Sequence, residues 1–186
     1  VNAEAGAAMA GQLGDAARFF RTDVTSEADG EAAIISALAA FGRIDGLVNC
    51  AGIAPGEKII GREGPHRLES FARAVTINLV GTFNVLRLAA AAMLENEPVD
   101  GDRGVIINTA SIAAFDGQIG QAAYASSKAG IVGLTLSTAR DLADKLVRVV
   151  TIAPGTFETP LLAGLPAEAR TVLEQQVPHP SRLGHP

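Results

Sequence analysis

Short runs of β-branched residues alternate with longer, helix-periodic stretches along this sequence, and this alternation limits its possible folds more than any other feature. The two most apolar runs are Gly104–Asn108 and Val147–Ala153. They lack the polar alternation of a strand with one solvated face, so they indicate strands covered by helices on both sides. Strands and helices in this order form right-handed βαβ units. We therefore predict an α/β fold with a doubly wound, Rossmann-like parallel sheet.

The individual elements can be placed from their start and stop signals. Gly42 is expected to end the first helix, because glycine readily adopts the left-handed conformation that follows many helices. The predicted strands are Ala16–Arg21, Ile44–Asn49, Gly104–Asn108 and Val147–Ala153, and the predicted helices cover 25–41, 67–96 and 121–144, with a loop over 53–66. No repeat or linker divides the chain, so residues 1–186 are expected to form a single domain.

The composition argues against several classes of protein. Hydrophobic residues make up 48% of the 186, too many for a disordered chain. Twenty acidic residues against fifteen basic ones give a formal net charge of −5, so no nucleic-acid partner is expected. One cysteine, Cys50, and three histidines at no metal-ligand spacing predict no metal site. The longest uncharged stretch, Ala74–Leu86, is too short and too polar to cross a membrane, so no membrane partner is expected.

Three loops that follow predicted strands carry residues poorly suited to packing. They contain Asn49–Gly52, Ser111 and Pro154–Thr159. In an open parallel sheet, ligands bind at the carboxyl ends of the strands. The sequence therefore predicts a ligand site at this edge of the sheet.

Tyr124 and Lys128 lie four residues apart on a predicted helix and so share one face. A lysine ammonium close to a phenol lowers the phenol's pKa from its usual value of about 10. A phenol of this kind can exchange a proton with a carbonyl oxygen. Taken alone, the pair is equally typical of a half-buried aromatic residue beside a solvated lysine, although Tyr124 is the only tyrosine in the sequence.

Two further polar residues have both a catalytic and a structural interpretation. Ser111 follows a predicted strand, where its hydroxyl could share a substrate oxygen with Tyr124; it could also be an ordinary turn or helix-capping residue. Asn78 is an amide within an apolar helical stretch. Since a buried amide must be hydrogen-bonded, Asn78 is either a satisfied core residue or part of the site.

Together these residues resemble the short-chain dehydrogenase/reductase superfamily. The superfamily's Asn-Ser-Tyr-Lys tetrad is matched by Asn78, Ser111, Tyr124 and Lys128. Its Asn-Asn-Ala-Gly element is matched by Asn49–Gly52, with Cys50 replacing the second asparagine. Within the superfamily, the likeness extends over the whole chain to the type 2 3-hydroxyacyl-CoA dehydrogenases, also called 17β-hydroxysteroid dehydrogenases type 10.

The resemblance implies a nicotinamide cofactor and a role for each matched residue. In the family's scheme, Asn78 helps to hold a water that relays protons to Lys128. The positions matched to cofactor contacts are Asp23, Val24, Asn49, Cys50, Ala51, Gly52, Tyr124, Lys128, Pro154, Gly155, Phe157 and Thr159. The positions matched to substrate contacts are Ser111, Gln121 and Tyr124.

The same resemblance implies segments that the 186 residues do not contain. The family begins with a strand, a Gly-rich turn and a helix facing the pyrophosphate. The acidic residue that favours NAD over NADP would precede Val1. The last strand of the family's sheet is missing too, so both ends are interpreted as cut. NAD is thus expected from the resemblance alone, with NADP as the alternative.

The expected reaction is the NAD-dependent oxidation of a 3-hydroxyacyl-CoA to a 3-oxoacyl-CoA, with steroid-like alcohols as further substrates. One alternative is an NADPH-dependent 3-oxoacyl-carrier-protein reductase; another is a catalytically silent binding or scaffold protein on the same fold. Lys58, Arg62 and Arg67 are either contacts for acyl-CoA phosphates or solvated charges. Apolar residues over 161–177 fit either a lid over the substrate or a packing segment.

Small residues crowd two predicted helices, over Ala89–Ala92 and within 122–133. Small side chains permit helices to approach closely, and the family uses these helices as a tetramer interface. A homotetramer is therefore expected by analogy. The expected location is the cytoplasm, or the mitochondrial matrix in a eukaryote.

Overall fold

A computed structural model of the chain describes residues 2–159, 171, 173–175, 177, 179–180 and 182–185. The helices are α1 (Ala3–Leu13), α2 (Glu27–Phe41), α3 (Leu68–Val75), α4 (Gly81–Met93) and α5 (Ala122–Leu142). The strands are β1 (Gly46–Asn49), β2 (Ile60–Gly61), β3 (Gly64–Pro65), β4 (Gly104–Thr109) and β5 (Val147–Ile152). Helices alternate with parallel strands, which confirms the predicted α/β, Rossmann-like class.

The central sheet contains β1, β4 and β5 in the spatial order β1-β4-β5, all parallel. Asn49 at the end of β1 is in register with Asn108, and Thr109 at the end of β4 is in register with Ile152. The three strands therefore end at the same edge of the sheet. Their bounds confirm three of the predicted strands to within two residues at each end.

The fourth predicted strand, Ala16–Arg21, is wrong. Residues Gly14–Ala16 form a 3-10 turn, and the described segment that follows pairs with no strand. Aromatic residues favour a strand only where a pleated, hydrogen-bonded neighbour accepts them. Phe19 lies instead against Gly6 of α1, where a Cβ atom would come within 2.1 Å of the Phe19 ring.

The predicted helix over 25–41 is confirmed by α2 and by its caps. The Ser26 hydroxyl oxygen accepts a hydrogen bond from the Asp29 N–H, which satisfies one of the free donors of the first turn. Gly42 ends the helix in the left-handed conformation, with φ of 81°. The predicted helix over 121–144 is likewise confirmed by α5.

The predicted helix over 67–96 contains a feature that periodicity did not reveal. Between α3 and α4, residues Thr76–Val80 form a π-helical turn, so the helical stretch Leu68–Met93 is continuous but locally widened. Such turns are common at functional sites. This stretch is the one helix in the described part of the chain that is long and apolar enough to cross a membrane. Helix α4 packs against β1 and β4, and 44% of the most apolar part of this stretch is buried inside the protein.

The core lies between the sheet and the helices α4 and α5. Leu86, Ala90 and Met93 of α4 pack against Ile106, Val147 and Val149 of the sheet. Gly104 permits this close approach, because a Cβ there would lie 2.6 Å from the Met93 Sδ. The segment predicted to be a lid, 161–177, falls largely outside the described residues. The predicted loop over 53–66 contains a short antiparallel hairpin, β2–β3, which the Gly/Pro-rich composition concealed.

Candidate active site

The residues predicted to form the site converge at the edge where the three parallel strands end. Asn49 ends β1 and residues 50–52 follow it, Ser111 follows β4, and residues 154–159 follow β5. The predicted location of the site therefore agrees with the strand register. Helix α5 supplies the remaining groups, because it begins beside this edge and packs against β4 and β5.

Lys128 of α5 is buried beneath this edge, with 5% of its surface exposed. Its Nζ donates a hydrogen bond of 2.6 Å to the Thr109 carbonyl oxygen at the end of β4. Burial lowers the pKa of the Lys128 amine, because the charged form loses hydration. Nζ has three donor hydrogens and one hydrogen-bond acceptor among the described residues, so two donors remain for a ligand.

Tyr124 lies one turn before Lys128 on α5, and the two share a face as predicted. The Lys128 Nζ is 5.8 Å from the centre of the Tyr124 ring. Tyr124 is half-buried, so its ring is held by the protein while remaining accessible from solvent. This arrangement places a phenol and an amine together at the mouth of the site.

Asn78 is fully buried in the π-helical turn. Its Oδ1 accepts a hydrogen bond from the Ile53 N–H at 2.8 Å, and its Nδ2 donates to the Ile53 carbonyl at 2.9 Å. The second Nδ2 hydrogen goes to the Ser127 Oγ, also at 2.9 Å. The side chain is therefore fully satisfied, as the structural interpretation expects, and it joins the loop after β1 to α5.

Ser127 is a member of this arrangement that the sequence analysis missed. Its side chain is completely buried. Its hydroxyl accepts from the Asn78 Nδ2 and donates to the Tyr124 carbonyl at 2.7 Å. Its position three residues after Tyr124 and next to Lys128 placed it near the same helix face, but a serine within a helix gives no signal of its own.

Ser111 follows β4 and precedes a 3-10 turn at Ile112–Ala114. Its Oγ accepts a hydrogen bond of 3.1 Å from the Ala113 N–H, so the capping role anticipated for it is present. The side chain is half-buried. An accepting hydroxyl oxygen still has its own hydrogen to donate, so capping leaves Ser111 able to contact a substrate oxygen.

The loop after β1 lies against Asn78 and Lys128. At Gly52, a Cβ would come within 3.2 Å of the Asn78 Oδ1 and 3.6 Å of the Lys128 Nζ. The Asn49 Nδ2 donates to the Asn108 Oδ1, which ties the ends of β1 and β4 together. Gly52 is exposed and lies close to the Lys128 amine, an arrangement that fits a nicotinamide cofactor.

Cys50 and Ala51 are exposed in the same loop. The Cys50 Sγ is 3.7 Å from the Thr109 Oγ1, on the residue whose carbonyl holds Lys128. The replacement of the family's second asparagine by Cys50 therefore leaves a small polar side chain over the end of β4.

Asp23 and Val24 lie before α2, at a distance along the chain from the tetrad. The Asp23 carboxylate accepts hydrogen bonds from the hydroxyl and N–H of Thr25, which lower the pKa of the Asp23 carboxyl. The Val24 side chain contacts Gly81, and the Val24 carbonyl accepts from the Asn84 Nδ2 at 3.0 Å. The contacts of Val24 fix it to the start of α4, whereas Asp23 is held by Thr25.

The segment after β5 is anchored at two points. The Pro154 carbonyl accepts from the Ile112 N–H at 2.9 Å, beside Ser111. Phe157 forms a bridge with Gly184 and covers it closely, since a Cβ at Gly184 would lie 2.6 Å from the Phe157 ring. Gly155 and Thr159 lie on the same segment, exposed and half-buried respectively.

Gln121 lies at the start of α5 and lines an open groove of about 450 Å³. Its Oε1 accepts from the Gln118 N–H at 2.9 Å. One wall of the groove is Lys58–Ile60, and the other is Gly117–Gln121 with Ala122 and Ala125 of α5. Of the predicted phosphate contacts, Lys58 borders the groove, Arg62 is exposed on the hairpin, and Arg67 pairs with Glu57.

Within the residues that the structure describes, no group of three or more His, Cys, Asp or Glu side chains could hold a metal ion. The side chains at this edge supply a phenol, an amine, a hydroxyl and the Cys50 thiol.

The sequence profile of one family, described as short chain dehydrogenase, matches residues 1–170. With the tetrad placed on this sheet, the chain belongs to the short-chain dehydrogenase family: it is a dehydrogenase of the NAD(P)-dependent type. It is 56% identical over 181 residues to a 3-hydroxyacyl-CoA dehydrogenase type-2 of Drosophila melanogaster, covering 96% of this chain and 71% of that protein. The corresponding protein of Homo sapiens is 55% identical over 184 residues, or 97% of this chain and 70% of the relative.

A solved structure agrees with these relatives. The crystal structure of a 3-hydroxyacyl-CoA dehydrogenase type-2 from Mycobacterium avium superposes with a TM-score of 0.90 and 43% sequence identity. The match covers 99% of this chain and 72% of the Mycobacterium avium chain. The expected superfamily is confirmed by both sequence and fold.

Proposed function

We propose that this chain catalyses the reversible oxidation of 3-hydroxyacyl-CoA to 3-oxoacyl-CoA with NAD as the hydride acceptor. The observation that carries the proposal is the buried Lys128 amine held beside the Tyr124 phenol at the end of the sheet. The type of substrate is supported by relatives that are more than 50% identical over nearly the whole chain and are named as 3-hydroxyacyl-CoA dehydrogenases.

Each side chain of the site has a defined task in this reaction. The bound cofactor supplies the group that accepts or returns the hydride. Tyr124 takes the proton from the substrate hydroxyl in the oxidation and returns it in the reduction. Lys128, kept in place by the Thr109 carbonyl, directs positive charge toward the phenol and donates to the cofactor ribose. Ser111 holds the substrate oxygen in line with Tyr124.

Asn78 holds the segments that carry these catalytic side chains. Its amide fixes Ile53 and, through Ser127, the backbone at Tyr124. The loop carrying Gly52 therefore keeps its distance from Lys128. The family's scheme also gives Asn78 a role in holding a water that relays protons to Lys128, and the proposal includes this relay.

The decisive experiment is the reduction of acetoacetyl-CoA with NADH compared with NADPH, measured with the full-length protein. We expect turnover with kcat/KM higher for NADH by about tenfold or more, which corresponds to about 1.4 kcal/mol of differential transition-state binding. A preference for NADPH would contradict the cofactor assignment. Absence of turnover with every 3-oxoacyl-CoA and steroid ketone would contradict the activity itself.

The reductase alternative has less support. An enzyme acting on acyl-carrier protein would share the tetrad, but the relatives that match at 55–56% identity are named for coenzyme A substrates. Comparing 3-oxoacyl thioesters of coenzyme A and of acyl-carrier protein separates the two. The silent scaffold is disfavoured because Ser111, Tyr124 and Lys128 are all present at the end of the sheet.

Basic residues beside the groove are proposed contacts for the phosphates of coenzyme A. Lys58 lines the groove and Arg62 follows on the exposed turn of the β2–β3 hairpin. Charge reversal at both positions is expected to raise the KM for acyl-CoA and leave the KM for the cofactor unchanged. An unchanged acyl-CoA KM would show that they are solvated charges.

We also propose a homotetramer built on the outer faces of α4 and α5. Val80 and Phe83 are about half exposed near the start of α4, and Leu136 is 58% exposed on α5. Small exposed residues, Ala129 and Gly133, precede Leu136 on one stripe of α5. Phe83→Asp should dissociate the assembly in light scattering, whereas an unchanged tetramer or a wild-type monomer would contradict this interface.

The location in the cell is proposed as the cytoplasm, or the mitochondrial matrix if the source is a eukaryote. Fractionation of cells that express the full-length protein tests this placement directly. Recovery in a secreted or membrane fraction would contradict it.

A further inference from the structure

Glu57 connects three segments that meet beside the groove. Its backbone N–H donates to the Gly120 carbonyl at 2.9 Å. One carboxylate oxygen accepts from the Arg67 N–H at 2.6 Å, and the other lies 3.2 Å from an Arg67 guanidinium nitrogen. Glu57 therefore contacts the loop before α5 with its backbone and the start of α3 with its side chain.

These contacts close the segment that forms one wall of the groove. Residues 57–67 form a loop that contains the β2–β3 hairpin and is closed by the hydrogen bond between Arg67 and Glu57. A second closure inside this segment is the hydrogen bond from the His66 N–H to the Ile59 carbonyl, 2.8 Å long. The wall Lys58–Ile60 begins directly after Glu57, so its position depends on where Glu57 is held.

The opposite wall is held by the same residue. Gly120, whose carbonyl accepts from Glu57, lies between Ile119 and Gln121 of the facing wall. Gly120 has a φ of 83°, which favours glycine at this point of closest approach. The Glu57 backbone N–H therefore joins the two walls, and the contacts of its carboxylate with Arg67 fix where that backbone lies.

The groove between the walls is mainly apolar. Ile59, Ile60 and Ile119 line it and are each more than 60% exposed. It reaches α5 at Gln121, three residues before Tyr124. An extended apolar chain attached to a carbon at Tyr124 fits this position and lining.

Hydrogen bonds from Arg67 keep the Glu57 carboxylate ionised. The Arg67 guanidinium forms an ion pair with the Glu57 carboxylate, and the His66 Nδ1 is 3.8 Å from the Glu57 Oε1. The hydrogen bond from the Arg67 backbone and that from its side chain lower the pKa of Glu57 to about 2. The hydrogen bonds that the Glu57 carboxylate accepts are thus made to a full negative charge, which strengthens them.

We propose that Glu57 is a positioning residue that sets the chain-length specificity of this enzyme, by holding the two walls of the groove at the spacing that accepts an acyl chain. The inference rests on the proposed function, because it assumes that the substrate chain extends from Tyr124 into this groove. Glu57 touches neither the reacting atoms nor the cofactor residues, so its effect is expected on substrate affinity and not on the chemical step.

The test compares Glu57→Gln with a matched control, Glu63→Gln. Glu63 lies on the same hairpin, is exposed and carries the same charge, so both variants remove one negative charge from one segment. Kinetics are measured on 3-hydroxyacyl-CoA substrates of four and of ten carbons. In Glu57→Gln the KM for the ten-carbon substrate should rise by about fivefold, with little change for the four-carbon one, since an exposed ion pair has a modest effect.

The two constants separate positioning from general damage. We expect the kcat of Glu57→Gln to remain within about twofold of the wild type, as for a change that affects ground-state binding alone, and Glu63→Gln to match the wild type throughout. A KM rise of equal size for both chain lengths, a loss of kcat, or no change at all would overturn the proposal.

The failure of the proposed function would be recognised separately. If the wild-type enzyme oxidises no 3-hydroxyacyl-CoA, that function is wrong, and the same comparison is then made on secondary alcohols of the two chain lengths. A chain-length-dependent KM rise in Glu57→Gln on those alcohols supports the positioning role, and a uniform or absent effect overturns it.

Discussion

The corner around Lys128 and the groove beside Glu57 adjoin each other but are built in opposite ways. Asn78, Ser127 and Lys128 are at most 5% exposed, and each makes hydrogen bonds to a different segment of the chain. The groove is lined by exposed isoleucines on a four-residue hairpin ladder and a loop.

The difference separates the demands of chemistry from those of recognition. Proton transfer requires donor and acceptor positions fixed to a fraction of an ångström, which buried and mutually satisfied polar groups provide. A groove for a substrate chain can stand on a short exposed hairpin, because apolar contacts are not directional. Substitutions in the corner should therefore affect turnover and folding, while those in the groove should affect the KM.

The largest effect is expected from Tyr124→Phe. Removing the phenol hydroxyl deletes the proton donor and acceptor, so kcat should fall by about a thousandfold, within the usual contribution of general acid–base catalysis. Binding of the reduced cofactor, measured by its fluorescence, should be retained. Turnover near that of the wild type would show that another group moves the proton.

Ser127→Ala tests whether the corner depends on mutual hydrogen bonding. It leaves one hydrogen of the buried Asn78 amide without a partner, so the free energy of unfolding should fall by about 1–3 kcal/mol. Chemical denaturation measures this change. Ser126→Ala is the matched control, since Ser126 is exposed on the same turn of α5 and should change little. Equal losses in both variants would mean that the contact between Ser127 and Asn78 adds nothing to stability.

Lys128 predicts a pH dependence of stability with a defined sign. Burial lowers the pKa of its amine below the ordinary 10.5, so the folded state releases this proton at lower pH than the unfolded state does. Its contribution to the free energy of unfolding should therefore increase as the pH rises from the lowered pKa toward 10.5. The difference between wild type and Lys128→Met, followed by denaturation across this range, isolates it. A difference that falls with rising pH would contradict the burial of the charge.

The smallest effect is expected from a change of pH on substrate binding in the groove. Glu57 has a pKa of about 2 against an ordinary 4.5, so its contribution to stability is fully present above 4.5 and is lost only as the pH falls toward 2. The ratio of KM values for long and short substrates should thus be constant between about pH 6 and about pH 9, where a carboxylate of this pKa does not titrate. A ratio that changes in this range would assign the groove to another titrating group.

Much of the fold could be predicted from the sequence, and the reasons are local. The apolar runs at β4 and β5 and the caps Ser26 and Gly42 are each signalled by a few neighbouring residues. The false strand at Ala16–Arg21 shows the limit of such signals, since a strand exists only with a partner elsewhere in the chain.

The candidate site divides in the same way. Ser111 could be placed because it follows a strand, and Tyr124 and Lys128 because they share a helix face, whereas Asn78 was assigned through the family resemblance. The π-helical turn at Asn78 could not, because a widened turn depends on tertiary contacts and not on periodicity. Glu57 and Ser127 were missed for a similar reason: their partners, Gly120 and Asn78, are distant in the sequence.

The central claim is that the Tyr124 phenol and the Lys128 amine act as one unit in proton transfer. The most direct measurement is a double-mutant cycle on kcat at saturating cofactor, with Tyr124→Phe, Lys128→Met and the double variant. If the two act together, the double variant should be no slower than the slower single variant, because each substitution already disables the unit. Losses that multiply in the double variant would show that the two residues act independently and would contradict this claim.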